Sequence, residues 1–118
     1  MKQKSPKWLE DIRLSAAFIL QASAAKTLQE YQSDPVLRAA IERHFEIIGE
    51  AMNRVARYDP EVASRIGDHP RIIAFRNVLI HGYDLVDHAQ VWRVVCEQVP
   101  VLLEQVECML QKIGDENS

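Results

Sequence analysis

In two long stretches of this chain the apolar residues step by four and three. Leu37, Ile41, Ile48, Ala51 and Val55 do so with His44 on the same line, and Val91, Val95, Val99, Leu102, Val106, Met109 and Ile113 do so again. On an α-helix that spacing makes one narrow stripe; on a strand it would scatter the same residues over both faces. A chain built this way folds by laying helices against one another. Strand signals point the same way by their scarcity, with no Asn-Gly or Asp-Gly turn and no long apolar–polar alternation.

Prolines mark where the helices begin. Ser5-Pro6 offers an N-cap and a first-turn proline, followed by Leu9, Ile12, Ala16 and Ile19 at helical spacing. Thr27 caps a short helix before Ser33, and Asp34-Pro35 opens the first long stripe. Asp59-Pro60 starts another short helix that Gly67 stops, and Pro70 starts one that Gly82 ends. Asp87 caps the last helix, which Pro100 should bend. The expected fold is all-α, an antiparallel bundle of four to five helices in a single domain over residues 1–118.

Composition supports a packed core, with 118 residues of which 47% are hydrophobic. No apolar run approaches a membrane span of about 20 residues. The opening segment "MKQKSPKWLEDIR" meets Glu10, Asp11 and Arg13 before any long apolar region, so it does not read as a secretory signal. Cys96 and Cys108 fall in one predicted helix, about 18 Å apart and beyond disulfide reach. They read as packing positions with reduced thiols, and the chain reads as cytoplasmic. The net charge of −3 is uneven, at +1 for residues 1–37, +1 for residues 38–83 and −5 for residues 84–118. That excludes a broad polyanion-binding face and leaves room for a small arginine-lined site in the middle.

"AFRNVLIHGY", residues 74–83, is where such a site would lie. On a helix over 70–81, Ile72, Phe75 and Leu79 form one side and Ala74 and Val78 another. That helix is apolar nearly all round, which predicts a central helix or one covered by a partner subunit. Arg76, Asn77 and His81 form its one polar sector, within an arc of about 140°. Two readings stand side by side. In one, the three make an internal network, with Arg76 paired to a carboxylate such as Glu50. In the other, Arg76 holds a phosphate through parallel bonds and His81 moves protons. A cation beside an acid–base group is the minimum for cleaving RNA, because the 2′-hydroxyl is the nucleophile and no metal is required.

The run "RNVLIHGYDLVDHAQVW" resembles the HEPN superfamily signature, and in particular its HepT-like branch of toxins paired with small nucleotidyltransferase (MNT) antitoxins. "AAIERHFEIIGEA", residues 39–51, resembles the same branch, as do the length and helix order. The resemblance implies an all-α homodimer whose motif helices line a shared cleft. It implies a metal-independent ribonuclease with Arg76 stabilising the phosphorane, His81 as general acid or base, and Asn77 orienting the pair; Glu50, read above as a carboxylate partner for Arg76, supports the site. It implies that Tyr83 is the tyrosine a cognate nucleotidyltransferase antitoxin adenylylates. The partners expected are thus a second copy, that antitoxin and RNA, with no membrane and no cofactor. The alternative is a non-catalytic adaptor that binds a nucleotidyltransferase or a nucleotide. One departure is Arg71, where the family often has tryptophan after the proline.

The remaining polar residues have plainer readings. His44 reads as a satisfied core or interface histidine. His81, Asp84, Asp87 and His88 match no standard metal-ligand spacing, so no metal is expected. Arg38, Arg43, Arg54 and Arg57 read as a solvated helix face with partners such as Glu42, Glu46 and Glu50. There is no P-loop and no dinucleotide-binding fingerprint.

Overall fold

The N-terminal stripe organises the bundle. Leu9, Ile12, Ala16 and Ile19 lie on α1 (Lys4–Ser23), and all four are fully buried. The computed structural model describes residues 4–117, apart from the side chains of Lys4, Tyr83 and Asn117. Among them are seven α-helices and no strand. After α1 come α2 (Leu28–Ser33), α3 (Pro35–Tyr58), α4 (Pro60–Ser64), α5 (His69–His81), α6 (His88–Glu97) and α7 (Val99–Asn117). A 3-10 turn, Tyr83–Leu85, links α5 to α6. α2 and α4 are barely a turn and a half each, so five longer helices carry the bundle.

α1 packs between α3 and α7. It runs antiparallel to α3, because Trp8 meets Tyr58 while Ser15 meets His44. α5 lies across the other side of α3, and α6 packs on α7 and α2. The α3 stripe is wider than the stepping residues alone, because Phe45 and Met52 join Ile41, Ile48, Ala51 and Val55 in the core. Leu37 and His44 sit at its margin, half-buried. Val91, Val95, Val99, Leu102, Val106 and Met109 close the core from the other side.

The caps are those the sequence announces, except at Ser5 and Gly67. Thr27 and Glu30 form a reciprocal capping box on α2, and the Asp34 carboxylate accepts from the N–H groups of Val36 and Leu37, both at 3.1 Å. Asp87 accepts from Ala89 and Gln90 at the start of α6. Ser5, however, lies within the first turn of α1, and its buried hydroxyl donates to Asp59 Oδ2 at 3.2 Å. It ties α1 to the α3–α4 corner instead of capping. α4 ends at Ser64, before Gly67, and the left-handed residue of that turn is Asp68, at φ 64°. Arg38 is no free surface cation either, since its guanidinium donates to the carbonyls of Tyr31 and Gln32 at the end of α2.

Pro100 does more than bend a helix. α6 ends at Glu97 and α7 starts at Val99, with Pro100 in its first turn, where no N–H is needed. Further back, the proline ring would have met the Cys96 carbonyl and left it without a donor. Cys96 and Cys108 therefore lie on two helices, and both thiols are free and exposed, not packed. No helix among the described residues is long and apolar enough to cross a membrane.

Candidate functional site

α5 is a surface helix. Leu79 alone of its residues is buried, while Ile72, Ile73 and Phe75 pack partly against the core and Phe75 meets Phe45 edge-on at 5.1 Å. The opposite side leaves Val78 49% exposed, while Ile80, 36% exposed, lies on the flank that carries Arg76. The apolar character all round thus reflects one packed face and one open face, not a central position.

Arg76 stands where α5 crosses α3. Its Nη2 lies 2.8 Å from Glu50 Oε1, and its Nη1 donates to the Asn77 side-chain oxygen at 3.2 Å. The Nε is buried with no hydrogen-bond partner among the described residues. Glu50 is shared, for its Oε2 also accepts from Arg54 Nε and Nη2 at 3.2 and 3.1 Å. With the two side chains 25% and 43% exposed, the Arg76–Glu50 pair adds little stability. What it supplies is orientation, fixing a planar guanidinium at the wall of a cavity.

Gly49 makes that crossing possible. A Cβ there would fall 2.2 Å from Arg76 Cβ and 2.8 Å from Cγ, a distance no packed side chain tolerates. The glycine lets the stem of Arg76 lie on the α3 backbone. The sequence hint was a glycine in the middle of a predicted helix, between stripe residues and directly before a carboxylate.

The cavity, about 450 Å³, runs between α1, α3 and α5 and is lined by Lys7, Trp8, Arg43, Glu50, Arg54 and Arg76, among others. His81 does not line it. His81 is the last residue of α5 and exposed, and its side chain makes no hydrogen bond or ion pair to the described residues. Five residues of helix put it about 7.5 Å further along the axis than Arg76 and about 140° round it. One chain therefore gathers Arg76, Asn77 and Glu50 and leaves His81 apart. Tyr83 follows the Gly82 cap at the head of the 3-10 turn; its side chain lies outside the described residues.

Two other histidines pack against aromatic rings, and the Nδ1 of one, His88, is buried with no hydrogen-bond partner among the described residues. His44 Nδ1 lies 3.0 Å from Ser15 Oγ, and its ring stacks on Phe18 at 4.0 Å. Burial, helped by the neighbouring Arg43 charge, pushes its pKa down. His88 is half-buried and edge-on to Tyr31. Among the described residues no group of three or more His, Cys, Asp or Glu is placed to hold a metal ion.

The family model for HepT-like ribonucleases (Ribonuclease HepT-like) matches residues 12–109, which include α5, Glu50 and Gly49. The chain belongs to the HepT-like ribonuclease family. It is 32% identical over 112 residues to a protein of Caldanaerobacter subterraneus subsp. tengcongensis named "Putative RNase", covering 95% of this chain and 98% of that one. It is 30% identical over 111 residues to the "Probable ribonuclease HepT" of Thermococcus cleftensis, covering 91% and 96%. A Methanocaldococcus jannaschii protein also named "Putative RNase" is 29% identical over 102 residues, covering 85% and 91%. No solved structure matches. These matches run along almost the whole of each HepT-like relative, so the comparison is between like and like.

Proposed function

We propose that this HepT-like chain is the toxin of a toxin–antitoxin pair, a metal-independent endoribonuclease working as a homodimer. The observation that carries the reading is the setting of Arg76, a guanidinium oriented by Glu50 and Asn77 at a cavity wall, on the same helix that ends in an exposed His81. Arg76 stabilises the charge that builds on the phosphorane. The substrate's 2′-oxygen attacks the adjacent phosphorus, the bond to the 5′-oxygen breaks, and a 2′,3′-cyclic phosphate and a 5′-hydroxyl result. One proton must leave the 2′-hydroxyl and one must reach the 5′-oxygen, so the step needs a base and an acid together. Two copies of His81, one from each protomer, supply both. The separation of His81 from Arg76 within one chain supports such a shared site.

Neutralisation is assigned to a nucleotidyltransferase antitoxin that adenylylates Tyr83. The residue lies two positions past His81, beyond the helix end. A phosphate there competes for Arg76 through charge-assisted bonds, and the purine fills space the RNA needs.

The test is RNA cleavage by purified protein in the presence of a chelator. Arg76→Ala and His81→Ala should each lose activity by about a hundredfold or more while remaining folded. Co-expressed with the partner, the parent should gain adenylyl-sized mass and Tyr83→Phe should not. Equal cleavage by the substituted proteins, or cleavage only with added divalent metal, sinks the mechanism. Partner binding without any cleavage would favour a non-catalytic adaptor.

A further inference from the structure

The ion pairs of the cavity have a pattern that the chemistry of one phosphate does not use. Arg43, Ile47, Glu50 and Arg54 follow one another at spacings of four, three and four, so they share one face of α3 and span about 16 Å of its axis. Opposite them on α1 stand Lys7 and Trp8. The cavity lining carries four cations against three carboxylates in a chain whose net charge is −3. Each carboxylate is already engaged, Asp11 by Lys7 at 2.7 Å and Glu46 by Arg43 at 3.4 Å, while Glu50 alone serves two arginines. The groove therefore has a cation to spare, and that surplus lies around Glu50, beside Arg76.

An aromatic pair stands at the Arg54 end. Trp8 and Tyr58 have ring centroids 5.5 Å apart with planes tilted by 34°, and Tyr58 is 59% exposed. A large aromatic face left open beside an arginine is the combination that takes an unpaired nucleobase and its phosphate.

We propose that this groove is the track of a single-stranded RNA substrate. Arg54 holds the phosphate next to the scissile one, and Tyr58, backed by Trp8, stacks the base beyond it. The inference rests on the ribonuclease reading and adds to it where the strand runs and which residues set its sequence preference. Two guanidinium groups bound to the two oxygens of one carboxylate are within reach of neighbouring phosphates of one strand. The phosphates displace Glu50 from its double role, leaving it to orient Arg76. The C-terminal helix disfavours RNA, since α7 carries Glu104, Glu107 and Glu116 on exposed positions. The cavity around Arg65 and Lys112 holds two cations against three carboxylates, so of the two the strand takes the groove with the positive balance. A duplex does not fit the description, because its bases are not free to stack on a side chain.

The experiment is fluorescence anisotropy with a labelled single-stranded RNA of about ten nucleotides. The full chain carries His81→Ala, so that bound RNA stays intact. Tyr58→Leu and Arg54→Gln should each weaken binding by about tenfold. Arg54→Gln should also reduce the slope of log affinity against log salt by about 0.7, and Arg54→Lys should restore it. Arg65→Gln, which lies at a different cavity and pairs with Glu61, should change nothing. Because Trp8 packs partly into the core, it serves as a reporter and is not replaced. In a Trp92→Phe background its emission should be quenched by RNA. Affinities unmoved by Tyr58→Leu and Arg54→Gln, duplex RNA bound as tightly as single strands, or no RNA binding at all would each overturn the proposal. Cleavage separates this from the ribonuclease reading. A parent that binds through this groove without cutting keeps the groove and loses the activity. One that cuts with an unchanged KM in both variants keeps the activity and loses the groove.

Discussion

At the residue scale, Gly49 shows how little of the site is decided by charge alone, and His44 shows how burial acts on a titrating group away from it. Gly49→Ala places a methyl group against the stem of Arg76, so α5 must lift or Arg76 must turn away from Glu50. The expected cost is about 1–3 kcal/mol of stability. It should appear as a lower urea midpoint, with RNA cleavage falling further than the folded fraction does. Glu50→Gln should cost under about 1 kcal/mol, because its pair with Arg76 is half-exposed. His44 predicts a pH dependence. Burial holds its folded pKa below the ordinary value of 6.5, so the unfolded chain takes up the proton first as pH falls. Its contribution is therefore complete above about pH 6.5 and is lost as pH falls through the folded pKa. Urea midpoints measured from about pH 5 to pH 7.5 should flatten over this range in His44→Gln.

At the element scale, the ends of helices carry more than their interiors suggest. Asp34 satisfies two N–H groups at the start of α3, the helix against which α1 and α5 both pack. Asp34→Ala should cost about 1 kcal/mol, while Asp34→Asn should cost much less. Chemical denaturation of the two variants checks the difference, and equal losses would show that packing around Pro35, not the cap, holds that end. The α6–α7 break belongs here too. Pro100 is harmless only in a first turn, so the chain restarts at Val99 and keeps Val95, Val99 and Leu102 in the core on both sides of the break.

At the scale of the whole molecule, the open side of α5 is the notable surface. Ala74 and Val78 lie one turn apart on that side, with Val78 49% exposed and the following Leu85 81% exposed. A cluster of that kind invites a self-complementary contact between two copies. The proposed shared site requires one. Light scattering at micromolar concentration should report a dimer, and Val78→Glu should give a folded monomer with little RNA cleavage. A fully active monomer would remove the two-histidine mechanism.

Much of this molecule was legible in the chain itself. The three-and-four steps determined an all-α bundle and most of its core, and the Asp-Pro pairs and Asp87 located the starts of α3, α4 and α6. Those signals are local, because propensity, capping and periodicity act within a turn or two. The grouping of Arg76 with Asn77 was readable as adjacency, and its pairing with Glu50 as one of two possibilities. The rest was decided by contacts distant in sequence. Only packing shows that Gly49 receives Arg76, that Glu50 also holds Arg54, that Trp8 meets Tyr58, and that Ser5 reaches Asp59. Only packing turns an all-round apolar α5 into a surface helix with one open face and puts Arg76, but not His81, at the wall of the cavity. A helix's period tells which residues share a side, but the neighbour that covers a side is chosen by the fit of the whole bundle.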